Sequence, residues 1–209
     1  MHVGVRTGAW VGGLSATLVA VALVSSAVGP VTIGVGSVAD IALAALLGGT
    51  SDAPTTHRTI VLSIRMPRIA LGAVVGFALA AAGTVMQGFF RNPMADPSIV
   101  GVSAGAATGA VAAIVAPVSV PFGLPAAAFA GALLAAFGVY LIASEGGRTP
   151  VETLLLAGIA VQTFLGAVVS FLLVNAGRDL REAIYWLMGH LHDSTWTEAT
   201  VAAAVVVPG

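Results

Sequence analysis

Read as hydrophobic and polar positions, the 209-residue chain is a series of long apolar runs joined by short polar connectors. A membrane-spanning helix needs about 20 consecutive, mostly apolar residues. Uncharged stretches of that order fall at 9–28, 69–90, 98–117, 124–143 and 154–175. The run from Ser98 to Ser144 carries no charge and is too long for one crossing; Pro117, Pro121, Gly123 and Pro125 punctuate its middle. Proline removes a backbone donor and disfavours helix before itself, so the run divides there into two helices. A sixth apolar stretch, 195–209, is short of a crossing when the chain reaches Gly209, which predicts a cut piece of a longer protein. Residues 33–51 are apolar but interrupted by Asp40, and predict a helix along the interface or packed over others, not a span. The expected fold is all-α: a polytopic membrane bundle with about six transmembrane helices in one domain, 1–209.

Composition supports a lipid-facing protein. The chain is 58% hydrophobic and 8% charged, with a mean hydropathy of +1.02, whereas soluble domains carry roughly 25% charged residues. The first apolar run exceeds the 7–15-residue core of a cleaved signal and reads as a retained helix. Cysteine is absent, which excludes disulfides and thiolate metal sites, and the net charge of −1 gives no reason to expect nucleic acid. All eight basic residues are arginine. With six alternating spans, Arg6, Arg91 and Arg148 fall on one side and Arg58, Arg65, Arg68, Arg178 and Arg181 on the other. The positive-inside rule alone puts the second set in the cytoplasm.

The connectors hold nearly all the chemistry: 51–68, 90–97, 145–152 and 175–196. GVSAG at 101–105 has the form of a hydrolase nucleophile elbow, but no strand precedes it. Gly101, Gly105 and Gly109 instead share one helix face, the spacing that lets membrane helices approach closely, and Gly72, Gly76 and Ala80 repeat it. The enzymatic rival is an intramembrane serine protease using Ser103 with His190 or His192. It is weakened because both histidines lie in a polar segment beside Asp193, outside the apolar runs. HLHD at 190–193 lacks a full ligand set for a metal and reads as a solvated loop. RNPMADP at 91–97 is either a tight turn or a pathway constriction, since irregular backbone at membrane depth must be buried in protein or line a cavity. Arg65 and Arg68, just ahead of the second apolar run, are either snorkelling anchors or a basic knob for an acidic partner.

RMPRIALGAVVGFALAAAGTVMQGFFRNPMADPSIVGVSAGAATGAV, Arg65 to Val111, closely resembles the signature of the FecCD family. These are membrane permeases of ABC importers for iron-siderophores, haem and vitamin B12. LLLAGIAVQTFLGAVVSFLL (154–173) and REAIYWLMGHL (181–191) match in order and spacing. The resemblance implies the type II importer fold with ten helices per subunit, a homodimer, two cytoplasmic ATPases and an extracytoplasmic substrate-binding protein, in the cell membrane. It implies no catalytic residues, metal or cofactor in this subunit, ATP being hydrolysed elsewhere. By the same resemblance, Arg65 and Arg68 face outside and dock the binding protein. Asn92 and Met94 line a cytoplasmic constriction, with a second at Val151 and Glu152. Docking by Arg65 and Arg68 would then override the weak topological bias of the arginines. Four further helices and the cytoplasmic helices that dock the ATPase are expected in the family but not found before Gly209, so the chain is expected to be the N-terminal part of such a permease.

Overall fold

The computed structural model describes residues 2–116, 123–191 and 194–208. The predicted break at Pro117 and Pro121, together with His192 and Asp193 of the HLHD motif, lies outside the described residues. The chain divides into two compact units, Met1–Ala78 with Leu191–Gly209, and Leu79–His190.

In the first unit, α1 (His2–Ala27) is followed by α2 (Val35–Leu47), α3 (Thr55–Thr59), a π-helical turn over Ile60–Arg65, and the start of α4 (Met66–Phe90). α9 (Trp196–Val206) completes it. Ala27, Ile33, Val38, Ile41 and Val61 form its buried cluster, so α2 packs on the end of α1 and on the π turn. Asp40, the charge that interrupts the apolar pattern, accepts a hydrogen bond from the Ser51 hydroxyl, and α2 stops at Gly48 in the left-handed conformation.

The expectation of a connector over 51–68 is corrected: α3, the π turn and α4 form one apolar helix, Thr55–Phe90, 36 residues long. Pro67 is what hid it. Inside an α-helix its ring crowds the carbonyl four residues back and it offers no N–H. Here the turn ahead of it widens to five-residue bonding, with the Met66 N–H donating to the Val61 carbonyl, and the helix continues past the buried proline. At 1.5 Å per residue this helix is about 54 Å long, well over the roughly 30 Å hydrocarbon core. Its uncharged part is the predicted run 69–90.

The second unit holds the end of α4, a 3-10 turn over Pro97–Val100, α5 (Val102–Val115), α6 (Gly123–Ala143), α7 (Val151–Asn175), a short 3-10 turn at Gly177–Asp179, and α8 (Leu180–Leu187). α5 packs on α6 and α7. Val139, Ala143, Leu154 and Ala157 close one end of the unit with Phe90, Val100 and Val161 around them. Val111, Ile114 and Ala183 form a second cluster with Val169, Leu172 and Trp186. Large apolar side chains such as Phe137, Phe164 and Phe171 stand exposed on α6 and α7. Such faces need lipid or another protein as solvent. By length and composition, Arg6–Ala27, Thr55–Phe90, Gly123–Ala143 and Val151–Asn175 are able to cross a membrane. The predicted stretches 98–117 and 195–209 carry α-helices of 14 and 11 residues.

Candidate functional site

The RNPMADP segment begins as a helix C-terminus. The Arg91 N–H donates to the Gly88 carbonyl and the Asn92 N–H to the Gln87 carbonyl, the paired bonds of a Schellman motif. The left-handed position at its centre, usually glycine, is Arg91 with φ 48°. Pro93 then prevents the helix from resuming. The Asn92 side-chain oxygen accepts the Met94 N–H at 2.9 Å, and the Asn92 carbonyl accepts the Ala95 N–H at 3.1 Å. This tight turn buries Ala95 and leaves Met94 84% exposed.

Asp96 then caps the 3-10 turn. Its carboxylate accepts the Ser98 hydroxyl and the Ser98 N–H, the latter at 2.8 Å. These bonds, the hydroxyl's first, hold the carboxyl below its ordinary value near 3.8 against a smaller opposing desolvation. The turn ends at Gly101 with φ 81°, a left-handed conformation that favours glycine, and a Cβ there would be in ordinary contact with Val139 and Val161, each 3.5 Å away. On its other side the turn lies on α7: the Gln162 amide donates to the Ser98 carbonyl, and Gly158 leaves room for the Ile99 carbonyl. Gly158 is seven residues into α7, about 10 Å from its start. The predicted helix at 98–117 is therefore broken, its first part being an irregular turn folded against α7.

Val151 and Glu152 open α7 just after a two-residue hairpin. Glu145 and Arg148 exchange backbone bonds of 2.8 and 3.0 Å around Gly146 and Gly147, both with positive φ. This is the geometry that favours glycine in such turns. Val151 is half-buried and Glu152 exposed. The cluster of Phe90, Val100, Ala143 and Leu154 ties both segments to the same end of the second unit. Asn92, Met94, Val151 and Glu152, far apart in sequence, therefore belong to one end of one body.

The glycines differ among themselves. A Cβ on Gly105 would overlap the Gly131 carbonyl and lie 2.5 Å from the Ala135 Cβ; one on Gly109 would overlap the Ala127 carbonyl. The α5 and α6 backbones thus touch, and the partner stripe Ala127–Gly131–Ala135 was legible only as further small residues at the same spacing. Gly101 serves the turn. A Cβ on Gly72 would meet only the Leu191 side chain, at 3.9 Å, and one on Gly76 would meet nothing within 4 Å among the described residues.

Arg65 and Arg68 lie in the first unit, at the π-to-α junction. The Arg65 guanidinium donates to the Ser26 carbonyl at 2.6 Å and to the Val31 carbonyl, capping the C-terminal end of α1, and it lies against Gly29. Cations suit that end of a helix, where carbonyls lack partners. Arg68 is exposed, with its Nε donating to the Leu191 carbonyl at 2.9 Å. Trp196 Nε1 donates to the Leu62 carbonyl at 2.8 Å. The amide that would continue the five-residue register onto Leu62 belongs to Pro67, which has none. Sequence reasoning missed Trp196 and Gln162; a lone primary amide in an apolar run was the available signal for the latter.

Among the described residues, which include His190 but not His192, the protease constellation is not assembled. Ser103 is exposed in the first turn of α5, whereas α8, which leads into His190, packs at Val111 and Ile114. Eight residues of helix separate Ser103 from Val111, about 12 Å. His190 Nδ1 is 3.0 Å from the Tyr185 carbonyl and its ring stacks edge-on to Tyr185. No cluster of three metal-ligating side chains occurs among the described residues.

Residues 17–209 match the FecCD transport family. The chain belongs to that family. The FecCD chain is 51% identical, over 98% of its length, to the cobalamin import system permease protein of Halobacterium salinarum, and covers 64% of that protein. It is 40% identical to the Fe(3+)-citrate import system permease protein YfmD of Bacillus subtilis over 73% of this chain and 45% of that one. With the hemin transport system permease protein of Yersinia pestis it shares 36% identity over 70% of this chain and 46% of the relative. A solved metal-chelate type ABC transporter in an inward-facing conformation superposes with a TM-score of 0.73 at 27% identity, covering 90% of this chain and 55% of that one. The FecCD chain is a multi-pass membrane protein that spans about half to two thirds of these relatives.

Proposed function

We propose that this chain is the pathway-forming part of an ABC importer permease for metal-chelate nutrients, cobalamin being the favoured cargo. The observation that carries the reading is 51% identity across 98% of the chain with a cobalamin permease, supported by the family match over residues 17–209. On this reading the permease works as a homodimer, a cytoplasmic ATPase supplies the energy, and an extracytoplasmic binding protein delivers substrate. Asn92 and Met94 narrow the pathway, with Val151 and Glu152 beside them. Their grouping at one end of the second unit supports that role. Irregular backbone folded into an apolar helical body is tolerated where protein covers it or a water-filled passage adjoins it.

Arg65 and Arg68 dock the binding protein through acidic side chains. The test is uptake of labelled cobalamin into proteoliposomes holding the native gene product, its ATPase and its binding protein. ATP-dependent uptake that weakens with Arg68→Glu, and is restored by a charge-reversed binding protein, supports the reading. Uptake of ferric chelates but not cobalamin would overturn the cargo assignment, and no ATP-dependent uptake of either would overturn the function.

A further inference from the structure

We infer that Gln162 and Gly158 of α7 are positioning residues that fix the 91–101 segment to α7, so that Asn92 and Met94 are held by α7 and not only by α4, to which they are joined in sequence. The inference deepens the constriction reading and rests on it for its functional meaning.

Gln162 is the one amide side chain in the interior of the apolar run 154–175, Asn175 being its last residue. A primary amide there is costly unless bonded. Its Nε2 donates to the Ser98 carbonyl, which also accepts the Gly101 N–H at 2.8 Å. Gly158 is one turn earlier on the same face, and the Ile99 carbonyl occupies the space its missing side chain leaves. This face of α7 therefore offers a gap and a donor in register with two successive carbonyls of the turn.

The segment is internally bonded in two groups, 92–95 and 96–101. Asn92 receives Met94 and Ala95; Asp96 receives Ser98 and, through its carbonyl, Ile99; Ser98 receives Gly101. The two groups join through the Ala95–Asp96 peptide, so holding Ser98 and Ile99 restricts where the turn that carries Met94 can sit. At the other end, the join to α4 is the left-handed residue Arg91 and the two backbone bonds from Arg91 and Asn92 to Gly88 and Gln87. A shift of α7 would carry the constriction with it.

These 209 residues contain no cysteine, so Ala95→Cys, at a position only 5% exposed, places one reporter thiol inside the segment once any cysteine elsewhere in the native gene product is replaced. Its modification by a polar maleimide is measured in membranes containing the native gene product and its partners. Gln162→Met removes the donor and should raise the rate about fivefold at every pH, the scale of one lost hydrogen bond. Gln162→Glu keeps a donor only while protonated. Relative to the Gln162 parent at each pH, its rate should match the parent in acid and rise as pH increases. A Glu variant that behaves like the Met variant at all pH values, or rates unchanged in both, overturns the inference. The reversible pH response within one folded protein separates positioning from general loss of structure. If rates follow Gln162 but thiol modification leaves uptake intact, the positioning stands and the constriction reading falls.

Discussion

Replacing Gly105 by alanine tests whether the small residues set the α5–α6 distance. The added Cβ would lie 2.5 Å from the Ala135 Cβ and 2.9 Å from the Gly131 carbonyl carbon. Carbon atoms rest at about 3.5–4.0 Å, so the helices must part by about 1 Å, which forfeits a quarter to a half of each contact's attraction along the seam. Overpacking of this kind costs about 1–3 kcal/mol, and the upper half applies because the obstacle is backbone. Gly131→Ala meets the Gly105 carbonyl from the other side, so both substitutions drive one separation. The double variant should cost little more than either single one, a coupling that distant sites do not show. Gly138→Ala, where a Cβ meets nothing within 4 Å among the described residues, is the control and should be neutral or gain about 0.5–1 kcal/mol from helix propensity. Unfolding by sodium dodecyl sulfate in mixed micelles is followed by helicity and tryptophan fluorescence, Trp186 lying in the cluster that includes Val111 and Ile114 of α5. Equal midpoints for Gly105→Ala and Gly138→Ala, or fully additive losses for Gly105 and Gly131, would refute the reasoning.

Arg91→Gly should raise stability by about 1 kcal/mol, because glycine occupies the left-handed position without steric cost; the same micelle titration reads it. Arg65→Ala should lower it by about 1.5–3 kcal/mol through loss of two charge-assisted bonds, to the Ser26 carbonyl in α1 and the Val31 carbonyl beyond it, with partial recovery in Arg65→Lys, which lacks the fork that reaches both together. The Asp96 carboxyl is depressed, so the cap's contribution is complete above its unfolded value near 3.8 and is lost as pH falls through the lower folded value. Its carboxyl carbon resonance should titrate below 3.8, and Ser98→Ala should raise that midpoint by removing the first cause.

Much of this protein is written in one dimension. Apolar runs of 20 or more residues specify helices that need lipid around them, because length and hydropathy are local properties and a membrane leaves the backbone few alternatives. The spacing of Gly105 and Gly109 marked a packing face for the same reason, since helical periodicity is fixed before any partner arrives, whereas Gly101, read as part of that face, ends the 3-10 turn. The block Arg65–Val111 carried the family resemblance. Tertiary structure decided what periodicity does not encode. Pro67 looked like a boundary, yet a π turn and a hydrogen bond from Trp196, 134 positions away in sequence, let the helix run through it. Arg65 reads in sequence as either a snorkelling anchor or a basic knob, and only the folded chain brings the Ser26 and Val31 carbonyls to its guanidinium. GVSAG looked like an elbow or a helix start. The structure places its first glycine at the end of a 3-10 turn whose carbonyls are received by Gly158 and Gln162, and that match depends on the depth at which α7 meets the turn. Local pattern fixes each helix and its apolar face; which carbonyl meets which donor is a property of the packed chain.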